Sequence, residues 1–482
     1  MNNKATNVLI LFSDQHSRHM LGCYGNPAIQ TPNIDALASR GICYDNAYTP
    51  CPVCVPARAA MAIGDYGSRH GYWDNAYAYE GNVPSWGARL EEEGYRVTTI
   101  GKLHFKNDTD KTGFSDQRIP LHIKEGVGDL YGEIRNKTIT RPQFRKALLD
   151  ASPGESDYTR YDMEIARRAA QYLREEGRTS EKPFALMVGF VAPHFPLIVP
   201  QKYVDLYPDP DALPVPIEFE RENWPHHPVL DDYRRYCCQE DLPDSVRRNA
   251  IRVYYALCSF LDEQIGVVLD ALRETGLDQT TRVIYTSDHG DMMGEHGLFF
   301  KSTMYEGSVG VPMILSGPGV EENVRNQTNV SLVDIYPTVL DCMGVPLNAY
   351  DRSLPGRSLM EYVQGVEDKE RAVYSEYMGF GCYTGEFMLR RGRYKYIHYV
   401  GESAQLFDLE NDPNECRDLA QEEAYADILI QMESELRKIA DPERLEADAR
   451  VAQKALLDEH GGQEEFLRTF KPMLFSPIPD LK

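Results

Sequence analysis

Asn7-Val8-Leu9-Ile10-Leu11-Phe12-Ser13-Asp14-Gln15 holds an unbroken apolar run from Val8 to Phe12 and ends on a carboxylate and a carboxamide. A short run of this kind predicts a strand buried on both faces, the habit of parallel sheets covered by helices. The residues that follow keep the pattern. Thr31-Pro32 opens a helical stretch through Ile34, Leu37 and Ala38 that stops at Gly41, with proline just inside the start and glycine past the end. A helix is expected near 85–93, a strand over 95–100, an amphipathic helix over 163–176 and an apolar strand over 184–192. Residues 246–275 have helical period, 282–287 and 312–316 read as strands, and 332–343 as a helix. Alternating strands and helices predict an α/β fold: a large, mixed, mostly parallel sheet sandwiched by helices over residues 1–370.

Beyond that point the pattern changes. Residues 373–377 and 387–399 look like strands with glycine turns, and 425–439 like a helix. This predicts a smaller C-terminal α+β domain with an antiparallel sheet over 371–482. Residues 197–245, rich in Pro, Asp and aromatics, show no periodicity and read as a long functional loop. His226 and His227 within it are expected to face solvent. The tail 466–482 is expected to reach a neighbouring subunit of a homo-oligomer.

Composition narrows the function. The 482 residues carry a net charge of -23, which argues against nucleic acid or an anionic membrane as a partner. No stretch approaches the ~20 apolar residues of a membrane-spanning helix. The first residues lack a signal-peptide pattern, so a cytoplasmic location is expected. Ten cysteines at irregular spacing read as reduced thiols.

The strand ends carry the chemistry. Ligands of parallel sheets bind beyond the carboxyl ends of the strands. Four predicted strands run into polar groups there: Asp14-Gln15, Gly101-Lys102-Leu103-His104, Pro193-His194 and Asp288-His289-Gly290-Asp291. If these strands are neighbours, their ends meet on one rim. Asp14, Gln15 and Asp288 offer hard oxygen ligands for Ca²⁺, Mg²⁺ or Mn²⁺, and His289 a nitrogen. Lys102, His104, His194 and Lys301 are candidate donors to an anion. A divalent cation beside cationic side chains suits a sulfate or phosphate ester.

The segment from Cys51 to Gly64 admits three readings. Cys51-Pro52-Val53-Cys54 is a C-x-x-C, as in redox sites at helix starts. A second reading is structural, two small residues packed before a helix. In the third reading, Cys54-Val55-Pro56-Ala57-Arg58 matches C-x-P-x-R, and here the chain resembles the formylglycine-dependent (type I) sulfatases of the alkaline phosphatase superfamily. The resemblance continues in order through Tyr24-Gly25-Asn26, Thr31-Pro32-Asn33-Ile34-Asp35, the four strand ends, Gly294-Glu295-His296-Gly297 with Lys301, and Leu406-Phe407-Asp408-Leu409. It therefore covers nearly the whole chain. Asp-Gln at the first pair and Asp-His at the second resemble the choline-sulfatase and phosphonate monoester hydrolase branch.

The resemblance implies an alkaline phosphatase-like fold and an enzyme that hydrolyses a small-molecule or saccharide sulfate ester. It implies that a separate maturation enzyme converts Cys54 to Cα-formylglycine, whose hydrate is the nucleophile. Asp14, Gln15, Asp288, His289 and residue 54 would hold the metal, Ca²⁺ by family habit, with Mn²⁺ or Mg²⁺ as alternatives. Arg58 would orient residue 54, and Lys102 and Lys301 would neutralise sulfate oxygens. His194 would protonate the leaving alcohol and His104 assist product release, or the two in exchanged roles. Asn75 resembles a substrate-side position, and His296 is a second substrate-binding candidate. Two other functions stay open: a phosphonate monoester or phosphodiester hydrolase on the same scaffold, and a non-catalytic anion- or carbohydrate-binding protein whose Cys54 is never oxidised.

Overall fold

The structure is a computed structural model that describes residues 5–469 and 475–481. Its main sheet contains β1 (Asn7–Asp14), β2 (Gly41–Tyr48), β3 (Arg96–Lys102), β4 (Asp116–Leu121), β5 (Phe184–Pro193), β6 (Thr281–Ser287), β7 (Met313–Ser316) and β8 (Val324–Ser331). The strand order is β8-β2-β7-β6-β1-β5-β3-β4. β1 pairs in parallel with β5 and β6, and β3 in parallel with β5 and β4. β7 runs antiparallel to β2 and β6, so the sheet is mixed and mostly parallel, as expected.

Side-chain alternation along β1 feeds two cores. Val8, Ile10 and Phe12 pack on one face, and Leu9 and Leu11 on the other. The first face meets α2 (Cys54–Ile63), α3 (Trp86–Glu92) and α8 (Ile335–Cys342). The second meets α1 (Pro32–Ser39), α5 (Asp157–Glu175) and the long α7 (Asp244–Glu274), while α4 (Pro142–Leu149) and α6 (Pro228–Tyr236) close over it. The two faces are buried because both are covered, which is why β1 can be apolar at every interior position.

Three strands of the main sheet escaped the sequence reading. β2 and β8 carry polar residues whose partners lie elsewhere in the chain: Asn326 Nδ2 donates to Val366 O at 3.0 Å, and Asn329 Nδ2 to Arg371 O at 2.8 Å. β4 is an edge strand of mixed polarity. The 197–245 stretch is less irregular than expected, since it contains α6. His227 caps that helix, is buried, and contacts Ser403 O at 2.9 Å through Nε2, so its expected place in solvent is wrong; His226 is exposed.

The C-terminal region forms an antiparallel sheet of β9 (Val373–Tyr377), β10 (Glu386–Arg391), β11 (Tyr394–Tyr399) and β12 (Gln405–Asp408) in sequential order. Phe387, Leu389, Tyr396 and Leu406 face α9 (Ala426–Ile439) and α10 (Pro442–Glu459). Met388, Ile397 and Phe407 on the other face join the core of the body. A buried ion pair crosses this junction: Lys395 Nζ lies 2.9 Å from Glu306, and it also lies 2.7 Å from Glu415 of its own region. Of the tail, 470–474 and 482 lie outside the described residues; Phe475 and Ser476 fold back onto the body of their own chain. Among the described residues no helix is long and apolar enough to cross a membrane.

Candidate active site

β6, β1, β5 and β3 are consecutive neighbours in the sheet, and they run parallel. Their polar ends therefore meet on one rim, as the sequence pattern requires. Two glycines let β3 and β5 close up there. A Cβ on Gly189 would lie 2.2 Å from Lys102 O, and one on Gly101, whose φ is +100°, 2.2 Å from Gly189 O. Just past β1 and β3 the backbone turns left-handed at the non-glycine residues Gln15 (φ 66°) and His104 (56°), and it does so again at Phe300 (71°) and Ser302 (73°) on either side of Lys301. Such conformations cost of order 1–3 kcal/mol each and gather at functional sites.

α2 delivers the remaining groups. All ten of its residues are buried. Its alanine-rich sequence packs closely under the rim, and Pro56 is tolerated in a first turn whose N–H groups have no helical partner. Cys54 is its first residue, and Arg58, four positions on, shares its face. The N–H of Val55 donates to Asn75 Oδ1 at 3.1 Å.

Cys54 Sγ lies 3.6 Å from Asp14 Oδ1, 3.2 Å from His289 Nε2 and 3.0 Å from Lys301 Nζ. Arg58 bridges the two carboxylates, with Nη2 3.0 Å from Asp14 Oδ2 and Nε 2.9 Å from Asp288 Oδ2. Lys102 Nζ lies 2.6 Å from Asp14 Oδ2. His289 Nδ1 donates to Gly290 O at 2.9 Å, which leaves the Nε2 lone pair turned to Cys54. His194 Nδ1 likewise donates to Phe195 O at 2.6 Å.

Burial alone would raise the Asp14 carboxyl, but Lys102, His194, Arg58 and Lys301 together hold it well below its ordinary value. Asp288 goes the other way, to about 6, because of burial and then the charge of Asp14. Burial, reinforced by Lys301, keeps His194 and His289 well below the ordinary imidazole value; burial and Lys102 do the same for His104. The Cys54 thiol is pushed up to about 11 by burial and Asp14.

The donor set fits a divalent cation. One ligand atom from each of Asp14, Cys54, Asp288 and His289 lies within 4.8 Å of all the others, and the four residues are buried. Two carboxylates and a neutral imidazole suit a hard or borderline ion. The sulfur of Cys54 marks where an oxygen carried by the same carbon would stand after conversion. Gln15 is beside this set but otherwise engaged: its Oε1 accepts from Lys301 Nζ at 2.8 Å and its Nε2 donates to Asp291.

A cavity of about 800 Å³, counting its open mouth, has Cys54 at its floor. Asn75, Lys102, His104, His194 and Lys301 line it, as the sequence reading groups them. His296 does not line it; its Nδ1 is 2.7 Å from Glu218 and its ring packs on Tyr305. The aromatic wall of Phe144, Tyr158, Phe195, Phe380 and Phe475 was missed, as was Ser476, whose Oγ lies 3.0 Å from His104 Nε2. No local motif announces these residues. Asp291, the last residue of the fourth strand-end motif, receives Gln15 and the N–H groups of Met293 and Phe300.

The family model described as Sulfatase matches residues 6–345, and one described as N-sulphoglucosamine sulphohydrolase, C-terminal, matches 294–442. The choline-sulfatase of Rhizobium meliloti (strain 1021) is 32% identical over 438 residues, covering 86% of this chain and 82% of its own. Arylsulfatase K of Bos taurus is 30% identical, covering 93% of this chain and 84% of its own. The phosphonate monoester hydrolase of Agrobacterium radiobacter shares the fold with a TM-score of 0.73 at 24% identity, covering 92% of this chain and 96% of that one.

Proposed function

The chain belongs to the sulfatase family, among the formylglycine-dependent members of the alkaline phosphatase superfamily, and from that membership we propose that its substrate is an organic sulfate monoester of a small molecule or saccharide, cleaved to an alcohol and inorganic sulfate. One observation carries the reading: residue 54, the convertible position, lies at the cavity floor in contact with Asp14, His289 and Lys301. Cys54 is the formylglycine precursor, and Asp14, Cys54, Asp288 and His289 would hold a divalent cation, Ca²⁺ first and Mn²⁺ or Mg²⁺ as alternatives. Together the two groups supply a Lewis acid and an oxygen nucleophile at residue 54. Gln15 Oε1 is assigned to the same cation, in exchange for its bond to Lys301.

The other side chains bind, orient and move protons. Arg58 keeps Asp14 and Asp288 aligned on residue 54. Lys102 and Lys301 face the non-bridging sulfate oxygens and stabilise the charge that develops on them. His194, whose Nδ1 is held by Phe195 O, carries a second proton at Nε2 only with the anionic substrate in place, which offsets the burial and the lysine that disfavour the charged form, and it gives that proton to the leaving alcohol. His104 takes up a proton from residue 54 as product leaves, with His194 and His104 in exchanged roles as the alternative. Asn75 braces α2 and meets the substrate side. A maturation enzyme that oxidises Cys54 is the protein partner this chemistry requires.

Steady-state rates on p-nitrophenyl sulfate and phenyl p-nitrophenylphosphonate test the substrate, with the sulfate preferred. A large preference for the phosphonate would overturn the assignment. Mass spectrometry of the Cys54 peptide, from cells with the maturation enzyme, should show the aldehyde; a wholly unmodified thiol in an inactive protein would favour a binding protein instead.

A further inference from the structure

A second nucleophilic cluster lies outside the catalytic cavity. Cys23 and Cys43 line one surface cleft with Asp35 and Arg325. Cys43 is on β2, and Cys23 is in the single turn Gly22–Tyr24 that follows β1. Neither is in a disulfide, and a single Arg325 nitrogen reaches both residues, the Cys23 carbonyl and the Cys43 sulfur. Cys43 is buried and Cys23 half-buried, so the pair meets solvent through the cleft.

The surroundings treat the two thiols differently. Arg325 Nη1 lies 3.5 Å from Cys43 Sγ and also donates to the Cys23 carbonyl, while Nη2 pairs with Asp45. Cys43 thus faces a fixed cation. Cys23 faces a carboxylate instead: its N–H donates to Asp35 Oδ1 at 2.7 Å. The neighbouring Cys23 thiol, opposed by burial and helped by Arg325, holds the Cys43 thiol below its ordinary value, whereas Cys43 and burial hold Cys23 far above. The buried thiols Cys51, Cys54, Cys237, Cys258, Cys342 and Cys382 are all shifted upward by burial. A cation beside one thiol and a second thiol in the same cleft is the arrangement of a reactive cysteine with its resolving partner.

We propose that Cys23 and Cys43 form an oxidisable dithiol site whose reactant is a hydroperoxide. The Cys43 thiolate attacks one oxygen of hydrogen peroxide, the O–O bond breaks, and the departing hydroxide takes up a proton to leave as water. Cys43 is then a sulfenic acid. The Cys23 sulfur displaces hydroxide from it, the S–S bond forms, and the Cys23 proton leaves with the hydroxide as a second water. Two thiols and one peroxide give one disulfide and two waters, with peroxide as the two-electron oxidant. The new bond ties the segment after β1, which begins at Gln15, to β2, whose far end leads into the residues before Cys54.

The test uses the full-length protein. It is treated with a small excess of hydrogen peroxide, alkylated without reductant, digested and analysed by mass spectrometry. A linked Cys23–Cys43 peptide is expected, formed before the exposed Cys416 loses its thiol and reversed by dithiothreitol. Cys23→Ser should stop at a sulfenic acid on Cys43 that dimedone traps. Arg325→Met, at the rim of the cleft, should slow disulfide formation roughly tenfold, the effect of about one unit of thiolate stabilisation. Full recovery of both alkylated thiols at peroxide levels that oxidise Cys416 would overturn the proposal. So would an Arg325→Met variant oxidised as fast as its parent.

Discussion

Asp14 and Asp288 are the same residue type, equally buried and joined by one guanidinium, yet their carboxyls shift in opposite directions. Asp14 has Lys102 at 2.6 Å together with His194, Arg58 and Lys301 to hold its charge, whereas Asp288 faces burial and then the charge of Asp14 itself. Arg58 is the common counter-charge, so Arg58→Ala leaves two facing carboxylates buried without it. That should cost about 3–5 kcal/mol of unfolding free energy, read from urea melts, and abolish turnover. Arg58→Lys should rescue part of the stability but little activity, because an ammonium cannot bridge two carboxylates as a fork does. Cys54→Ala should separate the effects: no turnover, with an unfolding midpoint near that of the parent. A bound divalent ion stabilises only the folded chain, so chelation should lower that midpoint, and refilling should raise it with metal concentration. Elemental analysis of the refilled protein then ranks Ca²⁺ against Mn²⁺. Asp14, Asp288 and His289 were legible in the sequence because each sits at a strand end, and Cys54 through its match to C-x-P-x-R. The engagement of Gln15 with Asp291 and Lys301 was not, since it depends on a left-handed turn at Gln15.

Among the elements, α1 shows both what punctuation reveals and where it stops. Thr31-Pro32 and Gly41 announce the helix, but its N-terminal N–H groups are capped from α7, some two hundred residues later. Asp262 accepts from Asn33 N at 3.1 Å, Asn33 Nδ2 at 2.8 Å and Ile34 N at 2.8 Å. Burial nevertheless pushes its carboxyl from 3.8 up to about 6. Between those two values the folded chain keeps a proton that the unfolded chain has lost. The stabilisation is therefore fully present below about pH 4 and lost as the pH rises through 6, by about 3 kcal/mol at most. Asp262→Asn cannot ionise, so its stability relative to the parent should improve between pH 4 and 6.5 and then level off. A parent-minus-variant difference that stays constant across that range would refute the assignment. β2, β8 and α10 were illegible for the reason that hid this cap: their polar residues are satisfied by partners distant in sequence, which local period cannot register.

Over the whole molecule, the decisive contact joins two ends of the chain. His104 Nε2 meets Ser476 Oγ at 3.0 Å, Tyr158 OH donates to Ser476 O at 2.9 Å, and the rings of Tyr158 and Phe475 lie 5.3 Å apart. Further along, Arg168 donates to Leu481 O at 2.8 Å. Sequence reading sent this tail toward a neighbouring subunit because nothing local ties it to a strand end more than three hundred residues earlier. The described part of the tail instead walls the cavity of its own chain. A protein ending at Thr469 keeps the sheet, the ion pairs of Lys395 and the cluster around Cys54, so its unfolding midpoint and metal content should stay near the parent values. Its cavity, however, loses one aromatic wall and the hydroxyl on His104. KM for a p-nitrophenyl ester should rise roughly tenfold, the effect of the ~1–2 kcal/mol that one aromatic contact contributes. Phe475→Ala should reproduce the rise in KM, because it removes the ring alone. Ser476→Ala should leave KM near the parent value and move the pH profile of kcat, because it frees the His104 Nε2. Identical kinetics in the truncated and full chains would show that the tail plays no part in catalysis, and that the mouth of the site is set by Phe144, Phe195 and Phe380 without it.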